Sequence, residues 1–168
     1  MAPLLMGGLL IVDFRDELKL YFKYDTEGYL IRIMNVGKCE IGDKVGSINS
    51  RGYYNVVLNY TIYSLHRLIW IWHYGNIPKD KVIDHIDRDK TNNKIENLRL
   101  ATVGENAVNQ NVRATNKLGI LGVCYHKRSK QYRATLKKPD GFYLNKGFKN
   151  LEDAVAQRKE WVKFYYDI

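Results

Sequence analysis

Residues 82–111, "VIDHIDRDKTNNKIENLRLATVGENAVNQN", decide how this chain is read, because they concentrate side chains that bury poorly. They hold an Asp-His pair (Asp84, His85), two further aspartates and six asparagines. "DKVIDHI" has the composition of a short strand, and "IENLRLAT" follows it after a polar loop. Thr102 and Glu105 form a T-x-x-E capping box, which opens a helix and sets Asn106 in its first turn. Asp84 and Asn106 converge if the strand ends at Asp84 and the capped helix packs back across it. A carboxylate and a carboxamide are both hard oxygen donors suited to Mg²⁺, which keeps most of its waters and takes only one or two protein ligands. His85 adds an imidazole able to accept a proton from water near neutral pH. Consecutive residues of a regular strand face opposite ways, so the strand must end or twist at the pair. "DRDKTNNK" permits that, since Asp and Asn tolerate turn and left-handed conformations. Taken singly, these residues would be a solvated loop and helix caps; their combination is what points to one-metal phosphodiester hydrolysis.

Upstream, "YFKYDTEGYLIRIM" (21–34) and "RGYYNVVLNYTIYSLH" (51–66) read as antiparallel strands, with Gly28, Gly42, Gly46 and Gly52 marking turns. In "LHRLIWIWHYG", Leu65, Leu68, Ile69 and Trp72 recur at helical spacing and Gly75 supplies a stop. A histidine in so apolar a helix, His66 or His73, more often packs or bonds to backbone than catalyses, so Arg67 is the better phosphate contact. Trp70, Ile71 and Trp72 read as core. Downstream, "NQNVRATNKL" (109–118) lacks apolar periodicity and is the linker candidate, which gives domains of 1–114 and 115–168. Beyond it, turn signals at Ser129-Lys130 and Pro139-Asp140-Gly141 divide three strands, and "LEDAVAQRKEWVKFYYDI" has helical periodicity. The last unit therefore reads β-β-β-α.

Charge names the kind of partner. The 27 Lys and Arg against 18 Asp and Glu give a formal +9. Residues 113–168 carry 13 basic and 5 acidic residues, or +8, while residues 1–112 carry 14 and 13, or +1. So lopsided a surface suits a polyanion. Cys39 and Cys124 are isolated thiols without a second pair, so no structural zinc is expected and a reducing, cytoplasmic setting is. The opening "MAPLLMGGLLIVDF" has neither the basic flank of a signal peptide nor the length to span a bilayer, and is expected to begin a strand or helix rather than meet a membrane.

"HRLIW" (66–70), "VIDHIDRDKTNNKIENLRLAT" (82–102) and "ENAVNQN" (105–111) together resemble the HNH endonucleases of the ββα-metal class, as found in phage and intron-borne homing enzymes. The resemblance implies that Asp84 and Asn106 bind the metal, that His85 activates the attacking water, and that Asn97 braces the loop. The family's last letter is often His, whereas Asn106 stands there in this chain; a carboxamide favours Mg²⁺ or Mn²⁺ over Zn²⁺. Tyr24, Asp25, Gly28 and Leu30 fit an opening common in such phage proteins.

"LGVCYHKRSKQYRATL" and "YLNKGFKNLEDAV" resemble an AP2 domain, with Tyr132 in place of the usual Trp and Lys146-Gly147 in place of Leu-Gly. That resemblance makes Tyr125, Lys127, Arg128, Gln131, Arg133 and Lys137 the DNA-contacting set, with Arg133 the first choice for guanine, and puts His126 against DNA rather than metal. The expectation is an α+β chain with N-terminal antiparallel strands, an HNH core and an AP2-like sheet. It would act as a monomer or weak dimer that hydrolyses phosphodiesters of double-stranded DNA, as a site-preferring homing-type or nicking enzyme. The alternatives are a DNA-binding regulator on a silent HNH scaffold, and a nuclease for RNA or branched DNA.

Overall fold

A computed structural model describes residues 13–35, 38–112 and 114–167. The chain is α+β, and its backbone gathers into two compact units, Met1–Leu100 and Ala101–Ile168. That division falls before the capped helix, not at the polar stretch near residue 115. Most of the N-terminal apolar run lies outside the described residues.

In the first unit, a helix that the periodicity did not announce, α1 (Phe14–Tyr21), is capped by Asp13, whose side chain accepts from the Arg15 N–H. It leads into the hairpin β1 (Phe22–Asp25) and β2 (Tyr29–Arg32), in register Lys23 to Ile31 and Tyr24 to Leu30. Next come β3 (Ser47–Ile48), β4 (Tyr54–Leu58) and β5 (Thr61–Ser64), a three-stranded antiparallel sheet in that order. The tight turn between β4 and β5 contains no glycine: Asn59 and Tyr60 both take positive φ, 48° and 60°, the geometry whose twist matches a two-residue hairpin. Helix α2 (Leu65–Tyr74) follows directly and ends at Gly75, whose φ of 83° lets its N–H close on the Ile71 carbonyl. Then β6 (Lys81–His85) and β7 (Leu98–Thr102) pair as a two-stranded sheet, joined through a 3-10 turn at Ile95–Asn97.

The apolar stripe of α2 does the packing. Leu65, Leu68 and Ile69 are fully buried against Leu18, Phe22, Leu30, Val56 and Ile83, which is the face that the i, i+3, i+4 spacing selects. Trp70, Ile71 and Trp72 lie at its margin, half buried. Two backbone anchors fix α1 to the end of α2: the Arg15 guanidinium donates to the carbonyls of Trp72 (3.2 Å) and His73 (2.7 Å).

The second unit starts with α3 (Val103–Val108), whose Thr102–Glu105 capping box is complete. It continues as β8 (Val123–His126), β9 (Gln131–Lys137), β10 (Tyr143–Phe148) and α4 (Leu151–Tyr166). The sheet order is β10-β9-β8, all antiparallel, and α4 covers one face around Val123, Ala134 and Ala154. Helix α3 packs on α4; a Cβ on Gly104 would meet the Tyr166 ring at 2.7–3.1 Å, so the close approach requires glycine there.

Candidate active site and nucleic-acid face

Strand β6 buries its last three residues, Ile83, Asp84 and His85, and ends at the histidine. The chain then turns sharply: Arg88 N–H closes on the His85 carbonyl at 3.0 Å, and Arg88 itself adopts φ 67°. Asp84 meets β7, where Arg99 donates to one of its oxygens from Nε (3.0 Å) and Nη2 (2.9 Å). A carboxylate only 6% exposed needs such compensation, because burying a charge alone is costly.

The loop that follows is built from its own amides. Asn97 Oδ1 accepts from the Asp87 N–H (3.0 Å), and its Nδ2 donates to Asp87 Oδ1 (2.9 Å) and to the Asn92 carbonyl (2.8 Å). Asn92 Nδ2 donates to the other Asp87 oxygen (2.6 Å). Burial raises the Asp87 carboxyl, but the bonds from Asn92, the Asp89 N–H and Asn97 outweigh it and hold the group below the usual carboxylate range. Asn97 thus makes the contacts that bracing a loop requires.

Asn93, a residue without a role in the sequence motif, is 1% exposed and bonds to His85: its Oδ1 lies 3.1 Å from His85 Nε2. Its Nδ2 donates to the Thr91 carbonyl (3.1 Å), which orients the amide with the oxygen toward the ring. A carboxamide oxygen can only accept, so Nε2 carries the proton and Nδ1 is the basic nitrogen of the neutral ring. Loop and hairpin meet at this point. Gly28, at φ 87°, brings the β1–β2 turn so near that a Cβ would sit 2.6 Å from Lys94 N and 2.7 Å from the Asn93 carbonyl carbon. The Tyr24 hydroxyl accepts from Ile95 N–H at 3.0 Å. The first hairpin therefore buttresses the loop that carries Asn93.

His66 stands beside His85, ring centroids 5.0 Å apart and edge-on, with Tyr53 5.4 Å from His66 and 6.1 Å from His85. The Lys90 ammonium lies 4.6 Å over the Tyr53 ring and donates to the Arg51 carbonyl. Neither Tyr53 nor Lys90 was singled out by sequence, and His66 was given less weight than Arg67, which is exposed on α2. Burial, with smaller effects of His85 and Arg67, pushes His66 down to about 3; its Nδ1 is buried with no hydrogen-bond partner among the described residues. Because its folded value is depressed, the unfolded chain takes up a proton that the folded chain refuses, and stability falls as pH drops below the ordinary histidine value of 6.5 toward 3. Between pH 7 and 4.5, His66→Gln should gain on the wild type by about 2–3 kcal/mol in urea unfolding. A difference independent of pH would mean that the folded chain protonates this imidazole.

In the second unit, register fixes what faces away from α4. Ala134 and Leu136 are buried under the helix, so Gln131, Arg133, Thr135 and Lys137 take the outer face of β9. Cross-strand partners add Cys124 and His126 from β8 and Tyr143, Asn145 and Gly147 from β10. Arg133 rises between Cys124 and Gly147, two small neighbours. Tyr125 does not belong to this face: it pairs with Tyr132, ring to ring at 5.1 Å, on the α4 side. Lys127 and Arg128 are exposed in the β8–β9 turn, and the His126 ring bonds Ser129 there. Cys39 and Cys124 are free, exposed thiols.

Asn106 sits half-buried in α3. Among the described residues no cluster of three or more His, Cys, Asp or Glu side chains is disposed around a common point for a metal, and no helix is long and apolar enough to cross a membrane.

The HNH endonuclease profile matches residues 63–108, the span from β5 through α3 that holds the His85 site. Protein 3.8 of Escherichia phage T7 is 37% identical over 91 residues, covering 54% of this chain and 74% of that protein. Residues 63–108 carry an HNH endonuclease domain. An uncharacterized HNH endonuclease of Acanthamoeba polyphaga mimivirus is 46% identical over 57 residues, 33% of this chain and 30% of that protein, so the chain spans under a third of that relative. The solved structure of the HNH homing endonuclease I-HmuI is similar at 21% identity and a TM-score of 0.43, over 85% of this chain and 82% of that one.

Proposed function

We propose that this HNH-domain protein is a metal-dependent endonuclease that hydrolyses phosphodiester bonds of double-stranded DNA, as a site-preferring, homing-type or nicking enzyme. The observation that carries the reading is His85: a buried imidazole, held by an oriented carboxamide so that Nδ1 is its basic nitrogen, beside a buried carboxylate. That is the equipment of a general base for water.

The fit of a divalent ion rests on the donor chemistry. Asp84 is a buried carboxylate already neutralised by a cation, Arg99, which marks an environment that calls for positive charge. Asp84 would hold Mg²⁺ or Mn²⁺, and Asn106 is the second donor by its place in the sequence motif; both are hard oxygens. When bound, the ion supplies charge stabilisation for the phosphate and the departing 3′ oxygen. In the chain's own part, His85 Nδ1 takes the proton from water, Asn93 keeps the ring turned to that task, and Asn97 holds the loop that presents both. Arg67 and Lys90 are exposed cations of the same unit, available to substrate phosphates. The second unit would supply DNA affinity as an AP2-like domain whose outer face presents Gln131, Arg133 and Lys137, with Lys127 and Arg128 in the adjoining turn. Arg133 between two small neighbours has room to reach a guanine edge.

Supercoiled plasmid incubated with the protein should be converted to nicked or linear forms in Mg²⁺ or Mn²⁺, and chelation by EDTA should stop the conversion. Retention of plasmid in a gel shift without strand cleavage, across both ions, would support instead a regulator on a silent scaffold.

A further inference from the structure

The outer face of the second sheet has a gap in its middle. Gly147 on β10 stands directly opposite Arg133, whose other neighbour in the register, on β8, is Cys124. Another residue of β9 fills the gap: a Cβ built on Gly147 would fall 2.6 Å from Gln131 Oε1 and 3.3 Å from Gln131 Cδ. Gln131 pairs with His126 in the register, two residues before Arg133, so its carboxamide leans diagonally toward β10 and up to the level of Arg133. Both residues are half-buried, and among the described residues neither the carboxamide nor the Arg133 guanidinium has a side-chain hydrogen bond or an ion pair. Gln157 on α4 is different: it accepts from Lys146 Nζ (3.0 Å) and donates to Glu160 (2.8 Å). The Gly147 backbone is not left-handed, so its conformation does not call for glycine; the space above it does.

We propose that Gln131 reads an adenine in the base pair adjoining the guanine that Arg133 reads, and that Gly147 determines this specificity by letting the carboxamide lie where it does. The inference rests on the reading of the second unit as DNA-holding and names what that face selects. Spacing decides which base pair is reached. Residues two apart on a strand are separated by about 6.6 Å, close to two base-pair steps of about 3.4 Å each. Upright side chains would therefore address pairs with one left between them. The lean over Gly147 shortens the separation, which brings the two planar groups onto neighbouring pairs. Chemistry decides which base. A carboxamide offers one donor and one acceptor side, matching N7 and N6 of adenine in the major groove, as a guanidinium matches O6 and N7 of guanine.

The test incubates the whole chain, in EDTA to prevent cleavage, with a randomised duplex library, sequences the retained duplexes, and measures affinity for the preferred duplex and its single-pair variants. The wild type should select a guanine with an adjoining adenine, and exchanging that A·T pair for G·C should weaken binding about tenfold, within the range of a bidentate contact. Gln131→Ala should erase the adenine preference and keep the one for guanine, which Arg133→Ala should erase. Gly147→Ala is the decisive variant. Its methyl group would displace only the end of a flexible side chain, and a strand tolerates alanine better than glycine, so thermal unfolding should be unchanged or slightly raised. The adenine preference should nevertheless be lost, and combining Gly147→Ala with Gln131→Ala should cost no more than either alone. An adenine preference that survives either single variant, selected positions separated by an unselected pair, or no selection beside the guanine would overturn the proposal. Absence of duplex binding by the wild type is a separate result, which removes the DNA-holding reading and this inference with it.

Discussion

His85→Ala should lower the rate of strand cleavage by a factor on the order of 10² to 10⁴, the range of a positioned general base, and leave DNA affinity little changed. The separation follows from where the groups lie. His85 is 5% exposed at the end of β6, enclosed by Asn93, His66 and Tyr53, so its ring offers little surface to a duplex. The cations that would meet phosphates, Arg67 and Lys90 among them, stay in place in the variant. Removing the ring leaves Asn93 Oδ1 without its partner, a cost of about 1–3 kcal/mol in stability, which the unfolding midpoint will report. Single-turnover cleavage and a binding isotherm on one oligonucleotide separate the two effects. Equal loss of cleavage and affinity would remove His85 from the chemistry.

What could be read from the chain alone was what local chemistry determines. The capping box at Thr102 and Glu105, the stop at Gly75 and the end of a strand at the Asp-His pair each depend on a few neighbouring residues, and the structure has all three. The long-range pairings were not legible. Asn92, Asn93 and Asn97 are identical in type within a short span; which of them turns to His85 is decided by the folded loop, whose backbone lies in close contact with the Gly28 turn, 65 residues away in sequence. Arg99 looked like one more basic residue until β6 and β7 paired and set it on Asp84. The AP2 resemblance and its spacing put Tyr125 in the contact set, yet a strand alternates, and one step of register puts it with Tyr132 on the helix side. The turn at Asn59-Tyr60 was hidden because a left-handed tyrosine is costly on its own and is tolerated where the flanking strands over-determine it. The boundary near residue 115 followed polarity, whereas the backbone groups α3 with α4 through the contact at Gly104.

Asn93 allows a sharper test of the mechanism than His85, because it touches no substrate in the proposed reaction and acts only through the ring. Asn93→Leu keeps the branched side-chain shape, removes the acceptor, and frees His85 to rotate or to carry its proton on Nδ1, where it cannot serve as a base. Cleavage should fall by about 10²-fold, the penalty for a reacting group set about 1 Å from its place, with KM and DNA affinity held. Asn93→Asp keeps an oxygen toward Nε2, at the expense of the donation to the Thr91 carbonyl, and should retain much more of the rate than Leu. The discriminating measurement is the ¹⁵N spectrum of His85, which distinguishes the two neutral tautomers: Nε2–H in the wild type and in Asn93→Asp, a mixture in Asn93→Leu. A merely structural asparagine would lower stability in both variants and leave the tautomer alone, because the bond that decides which nitrogen carries the proton would then lie elsewhere.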